Sequence, residues 1–182
     1  MAQKIELISG ALILIGANPI SSLSEGTEGL VADSLYEDTY TGLLASHSWR
    51  FATKKKQLSR LTEAPLNEFM YQYQLPSDMI TIERVYSGSD YEVFGDKLYS
   101  NQLTVAIDYR YRVDETILPD YFALTLKFLL AAQFAIPITD NSQRAQTYEG
   151  LYERQLSRAK FIDSAARPQN AIVSSPFVNE ID

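Results

Sequence analysis

The sequence predicts a mainly α (α+β) protein with a four-helix bundle-like core, an antiparallel β-rich insert and an extended C-terminal arm. Apolar residues recur at helical spacing toward both ends of the 182-residue chain. Between them, apolar and polar residues alternate in short runs that turn sequences separate. We therefore expect a helical domain of residues 1–50 and 114–166, an insert over residues 51–113 and an arm over residues 167–182.

Two helices are predicted before the insert. The first covers about residues 3–15 and ends where Gly16 and Pro19 interrupt the pattern. The second covers about residues 25–46, with Ser24 as the predicted N-cap. The apolar residues predicted for their buried faces are Ile5, Ile8, Leu12 and Ile15 in the first helix and Val31, Leu35, Leu43 and Leu44 in the second.

Two more helices are predicted after the insert. The third covers about residues 118–136, from Pro119 in its first turn to the break expected at Pro137. Because it is apolar on nearly every face, we expect it to be the central helix, surrounded by the others. The fourth covers about residues 141–166 and ends before Pro168. Its predicted core stripe consists of Tyr148, Leu151, Tyr152, Leu156, Ala159 and Ile162.

The insert is predicted to consist of antiparallel strands. Gly95 and Asp96 separate two short β-type runs, which is a hairpin pattern. The predicted strands are residues 69–75, 79–86, 91–94, 97–99 and 103–113.

The two most apolar segments are predicted to be core helices. Residues 5–15 follow a single cation, Lys4, and contain Glu6, unlike the hydrophobic region of a signal peptide. Residues 121–136 contain Lys127 and are short for a membrane span. This pattern fits a chain made in the cytoplasm.

Composition narrows the classes of function. The chain has no Cys and one His, which removes disulfides and thiolate sites and disfavours zinc catalysis or catalysis by a His pair. His47 has no acid near it in the sequence, and no Gly-rich loop has the Lys and spacing of a phosphate-binding loop. We therefore predict no enzyme activity, no cofactor and no metal site. The net charge of −7 disfavours a protein that coats nucleic acid.

One concentration of cations stands out in this acidic chain. It forms either a solvated strand or loop face or a contact with DNA, a neighbouring subunit or an acidic partner. The adjacent His47, Trp49 and Phe51 are predicted to form a structural junction between the helical and β-rich parts, with the Trp and Phe rings buried. The candidate contact residues are Arg50, Lys54, Lys55, Lys56 and Arg60.

Residues 167–182 are expected to be extended, because Pro168 and Pro176 oppose a regular helix. The segment is either a disordered tail or a docking arm that orders on a neighbouring subunit or another protein. Docking is suggested by apolar residues that a solvated tail rarely carries: Ile172, Val173, Phe177, Val178 and Ile181.

Several short motifs, spread over about residues 8–130, carry a family resemblance. They are Leu14-Ile15-Gly16, Ile20-Ser21-Ser22-Leu23, His47-Ser48-Trp49-Arg50-Phe51-Ala52, Leu75-Pro76-Ser77-Asp78, Asp108-Tyr109 and Leu118-Pro119-Asp120-Tyr121-Phe122. Together they resemble the head-to-tail adaptor (connector) family of tailed bacteriophages, of the tail tubular protein A type found in short-tailed phages.

The resemblance implies a structural virion protein at the head–tail interface, made in the host cytoplasm. It implies a ring, typically a dodecamer, that joins the portal protein to the tail or nozzle protein. Helices form the ring wall, the β insert faces the tail and the termini grip neighbours. DNA passes through the lumen without sequence-specific binding, so the ring forms part of the ejection channel.

The sequence departs from the family pattern at Ser48, where Pro is usual, and this bears on the subfamily and the partner. One alternative is an adaptor or head-completion protein of a long-tailed phage. The alternatives from other classes are a small wall-degrading hydrolase and a DNA-binding module.

Overall fold

A computed structural model describes residues 2–88 and 90–165. Two antiparallel sheets lie in the chain between the second and third of four α-helices, so the predicted mixed α+β class is confirmed. The helices are α1 (Ala2–Leu14), α2 (Gly26–Ala45), α3 (Asp120–Thr139) and α4 (Ser142–Ala165). The predicted arm, with Ile172, Val173, Phe177 and Val178, lies outside the described residues.

In the part of the chain that the structure describes, seven strands form two sheets. The first sheet has the order β1-β7-β4 and the second the order β2-β3-β6-β5. The hairpin expected at Gly95 joins β5 to β6, and Gly95 has a φ of 58°, a backbone conformation that favours glycine. The strands are β1 (Thr53–Gln57), β2 (Ser59–Arg60), β3 (Tyr71–Gln74), β4 (Met79–Tyr86), β5 (Tyr91–Phe94), β6 (Lys97–Ser100) and β7 (Ala106–Tyr111).

The helix α3 packs against each of the other three helices. By length and composition α3 resembles a membrane span, but seven of its residues are fully buried against protein. At the C-terminal end of α1, the Arg144 guanidinium and the Tyr148 hydroxyl of α4 donate hydrogen bonds to the carbonyls of Ile15 and Leu14. The C-terminal ends of α1 and α3 therefore meet at the start of α4. We call this region, residues 13–15 and 136–142, the distal end.

The two parts of the molecule have separate cores. The helical core contains Trp49 and the buried faces of α1, α2 and α3. The core of the sheets contains Leu58, Tyr73, Leu75, Leu98, Val105, Ile107 and Tyr109. The segment that joins the two cores therefore decides how the sheets are held on the helices.

Two expectations about helix ends are wrong. The N-cap of α2 is Glu25 rather than Ser24, and its carboxylate accepts hydrogen bonds from the backbone and hydroxyl of Ser21 at 2.8 Å. The third helix also continues past Pro137 to Thr139. A proline removes one backbone donor, but the later donors still find acceptors here, because the Asp140 N–H reaches Ile136 O at 2.9 Å.

Candidate functional site

The predicted junction residues lie where α2, α3 and β1 meet. After α2 the chain forms a 3₁₀ turn at Arg50–Ala52 and then enters β1. The side chain of Trp49 is fully buried, and its indole Nε1 donates a hydrogen bond to Leu43 O at 3.0 Å. Its ring packs edge-to-face on Phe122 of α3, with centroids 5.1 Å apart. Phe51 is half-buried and packs on the same Phe122 ring at 4.9 Å.

Asp163 of α4 completes the junction, and sequence reasoning missed it. Its side chain is buried and accepts hydrogen bonds from Arg50 N–H at 3.1 Å and from the Tyr121 hydroxyl at 2.8 Å. Burial and this carboxylate raise the pKa of Tyr121. One sequence feature points to the role: Asp163 follows the buried Ala159 by four positions. The core position predicted for Ile162 is therefore wrong, because Ile162 is 39% exposed and the buried residue at this turn is Asp163.

Arg110 of β7 connects the first sheet to the C-terminal end of α2. This residue was also not identified from the sequence. Its Nε donates to Glu83 Oε1 at 2.7 Å, and one of its terminal nitrogens donates to Leu44 O at 3.1 Å. Leu44 and Ala45 end α2, where backbone carbonyls lack helical partners, so a buried guanidinium satisfies them. Glu83 also accepts a hydrogen bond from the Ser48 hydroxyl at 2.6 Å.

His47 packs edge-to-face on Trp49, with ring centroids 4.8 Å apart. Its Nε2 is buried and has no hydrogen-bond partner within residues 2–88 and 90–165. Burial lowers the pKa of the imidazole, Asp163 and Glu83 oppose that shift, and Lys160 and Arg110 add to it. The neutral ring is therefore the form that fits the junction.

The basic run is divided between the two faces of β1. Lys54 lies 3.0 Å from Asp78 and 3.6 Å from the centroid of the Tyr111 ring. Lys55, on the other face, lies 3.6 Å from Asp108 Oδ1 and donates a hydrogen bond to the Tyr86 hydroxyl at 3.3 Å. These contacts raise the pKa of both amines, chiefly through the hydrogen bonds to Asp78 and Tyr86.

Of the other three candidate cations, Arg50 lies near Lys54 and Lys55, whereas Lys56 and Arg60 lie apart from them. Lys56 is exposed and has no ion-pair partner among the described residues. Arg60 lies over the Tyr71 ring of the second sheet, 5.1 Å from its centroid. Arg50, Lys54 and Lys55 line one open groove of about 420 Å³, together with Ser48, Thr53 and Asp108. The structure therefore brings three of the five cations together and places an acid among them.

Several large apolar side chains of the described residues are exposed, and two sets of them lie on different parts of the molecule. At the distal end, Ile13 is 59% exposed and Ile136 is 55% exposed. In the second sheet, Val93 is 41% exposed and Phe94 is 61% exposed. We call these sets the distal surface (Ile13, Leu14 and Ile136) and the β5 surface (Tyr91 and Val93 on one face of the strand and Phe94 on the other). Groups of exposed apolar side chains are typical of contact sites.

Within the described part of the chain, no three His, Asp or Glu side chains are placed to hold a metal ion together. No protein-family model matches the chain, and no curated protein matches its sequence.

Proposed function

We propose that this chain is a structural virion protein: a head-to-tail adaptor ring that joins the portal to the tail of a bacteriophage and forms part of the DNA ejection channel. The observation that carries the proposal is the presence of exposed apolar side chains both at the ends of the helices and in the second sheet, two parts of the chain that the buried Trp49 junction connects. A protein held between two partners needs a contact surface toward each of them.

The two surfaces lie on different kinds of secondary structure. The distal surface consists of Ile13, Leu14 and Ile136 at helix ends. The β5 surface belongs to a sheet that the chain reaches only after passing the buried Trp49. In the proposed ring the distal surface contacts the portal and the second sheet faces the tail or nozzle protein.

The motifs that carry the family resemblance coincide with the contacts that set this geometry. The run from His47 to Ala52 supplies the junction rings, and Asp78, from the Leu-Pro-x-Asp motif, accepts the hydrogen bond from Lys54. Asp108 lies beside Lys55 across the first sheet. Motif residues with long-range contacts support a family relationship more strongly than motif residues at unconnected surface positions.

The proposal includes the finer architecture. The four helices form a bundle-like core that alternates in direction, because the ends of α1 and α3 meet the start of α4 and the end of α4 lies beside Arg50. In the ring this core forms the wall, and residues 167–182 form the arm that docks on a neighbour.

Passage of DNA fits the charge pattern. With a net charge of −7, the subunit gives phosphates little to bind, so DNA would slide through the lumen. Lys54 and Lys55 are each paired with an acid, which reduces the positive charge that they offer to a phosphate backbone. An electropositive lumen in a map of the assembled ring would contradict this part of the proposal.

The experiment is co-sedimentation with purified portal rings encoded by the same genome. The wild-type chain is expected to sediment with the portal. Ile136→Lys places a charge on the distal surface and is expected to abolish this binding. Because Ile136 is 55% exposed, the substitution should leave the thermal unfolding temperature close to that of the wild type.

Ser164→Lys is the matched control. It adds the same charge at the opposite end of the helices, at an exposed position of α4, and is expected to retain portal binding. A wild-type chain that does not bind the portal contradicts the adaptor assignment. Equal binding by the wild type and the Ile136→Lys variant contradicts the role of the distal surface.

A further inference from the structure

The strand β5 is an edge that nothing in the described chain covers. It pairs with β6 on one side only, and all four of its residues are exposed. A free strand edge presents unpaired backbone N–H and C=O groups to any extended segment that approaches it. Proteins usually protect such edges with charges, bulges or short strands.

The other three sheet edges have such protection. The edge strand β1 carries Lys54, Lys55 and Lys56 in succession. The edge strand β2 is two residues long, and β4 has two register irregularities against its partner. Among the sheet edges within residues 2–88 and 90–165, only β5 combines a regular register with exposed apolar side chains.

On β5, one face of the second sheet that is buried in the neighbouring strands becomes exposed. Val93 is in register with Leu98 of β6, which is in register with Tyr73 of β3, so the three share one face of the sheet. Leu98 and Tyr73 are buried, whereas Val93 remains 41% exposed. On the opposite face, Phe94 packs on Tyr99 at 6.1 Å and is 61% exposed. An added strand would therefore find apolar neighbours on both faces.

We infer that residues 171–175 of this chain, Ala-Ile-Val-Ser-Ser, pair with β5 as an additional strand. Ile172 and Val173 are adjacent, so in a strand they point to opposite faces of the sheet. One of them would cover the face of Val93 and the other the face of Phe94. Pro176 follows the segment and so does not interrupt the pairing.

Charge favours this segment over the β5 strand of a second copy. β5 contains Glu92 and is flanked by Asp90 and Asp96, so two copies of it would bring like charges together. Residues 168–179 contain no charged residue. The chain continues beyond the end of α4 at Ala165, so this neutral segment is part of every copy. The inference specifies where the proposed arm docks, and the surface that the second sheet presents to the tail protein would then include this added strand. It does not depend on portal binding.

Hydrogen exchange of the β5 amides in the full-length protein tests the inference. Pairing protects the outward-facing amides of residues 91–94. The Ile172→Asp/Val173→Asp variant is expected to exchange these amides about tenfold faster than the wild type, with no change in the amides of α3. The matched control, Phe177→Asp/Val178→Asp, adds the same charge beyond Pro176 and is expected to exchange like the wild type. Equal exchange in all three proteins, or equal acceleration by both variants, overturns the inference.

Engineered cysteines give a second test, because the chain has no Cys of its own. Two full-length variants, Val93→Cys/Ile172→Cys and Val93→Cys/Val173→Cys, cover both orientations of the added strand, and mild oxidation is expected to form a disulfide in one of them. The control pair Leu103→Cys/Val173→Cys places the first thiol at another exposed apolar position and is expected to remain reduced. The mass of the oxidised product shows whether the strand comes from the same chain or from a neighbour, and both support the pairing. No disulfide at position 93 in either variant, or a yield in both that does not exceed the yield of the control pair, overturns it.

Discussion

Asp163 accepts a hydrogen bond from the backbone N–H of Arg50 at 3.1 Å, which fixes the end of α4 to the first turn of the insert. The two residues are 113 positions apart in the chain. Because Asp163 also accepts the Tyr121 hydroxyl, one buried carboxylate holds α3, α4 and the start of β1 together.

Loss of this carboxylate is expected to weaken the junction. In Asp163→Ala, Arg50 N–H and the Tyr121 hydroxyl lose their acceptor, so we expect the free energy of unfolding to fall by about 3 kcal/mol. Tyr121→Phe removes only one donor and is expected to cost about 1 kcal/mol. Urea unfolding followed by the fluorescence of Trp49, the single Trp of the chain, measures both. Equal stability of Asp163→Ala and the wild type would contradict a stabilising role of Asp163 at the junction.

Arg110 is expected to resist conservative replacement. Lys cannot reproduce the planar contacts to Glu83 and Leu44 O, so Arg110→Lys should lose most of the stability that Arg110→Met loses, about 3 kcal/mol. In the Arg110→Met/Glu83→Gln double variant, part of this loss should be recovered, because the unpaired carboxylate is gone. Urea unfolding of the three variants tests the prediction. Wild-type stability of Arg110→Lys would show that the planar contacts of the guanidinium to Glu83 and Leu44 O do not contribute to stability.

Two glycines of α2 are expected to respond in opposite ways to alanine. A Cβ at Gly29 would lie 2.6 Å from Leu23 O, a backbone atom, so Gly29→Ala should be destabilised. A Cβ at Gly42 would meet nothing within 4 Å, so Gly42→Ala should gain about 1 kcal/mol from helix propensity. Thermal unfolding of the pair checks the prediction, and stabilisation of both variants would contradict the close approach of the chain at Leu23.

Stability is expected to fall as His47 becomes protonated. Because burial lowers the pKa of His47, the unfolded chain binds the proton more readily than the folded one. The contribution of the neutral His47 ring to the free energy of unfolding is complete above 6.5, the ordinary pKa of histidine. This contribution is lost as the pH falls from 6.5 through the lower pKa that His47 has in the folded protein.

Urea unfolding of the wild type and His47→Gln between about pH 7 and pH 5 tests this sign, because no other side chain ordinarily titrates there. The wild type should lose more stability than the variant over this range. Parallel pH profiles would contradict a lowered pKa of His47 in the folded protein.

Local patterns predicted much of the fold. Apolar periodicity predicted four helices, and alternation around Gly95 predicted a hairpin that is present. The strand β1 was missed because Lys54, Lys55 and Lys56 show no alternation, and its position comes from pairing with β7. Asp163 and Arg110 were missed as junction residues because their partners are far along the chain, and a single sequence does not show such contacts.

The most direct test of the adaptor assignment is electron cryomicroscopy of the chain mixed with portal rings from the same genome. The account predicts a closed ring of this chain, typically a dodecamer, seated on the portal, with the helices toward the portal and the β-rich insert away from it. Portal rings without added density, with the chain remaining a free monomer, would contradict it.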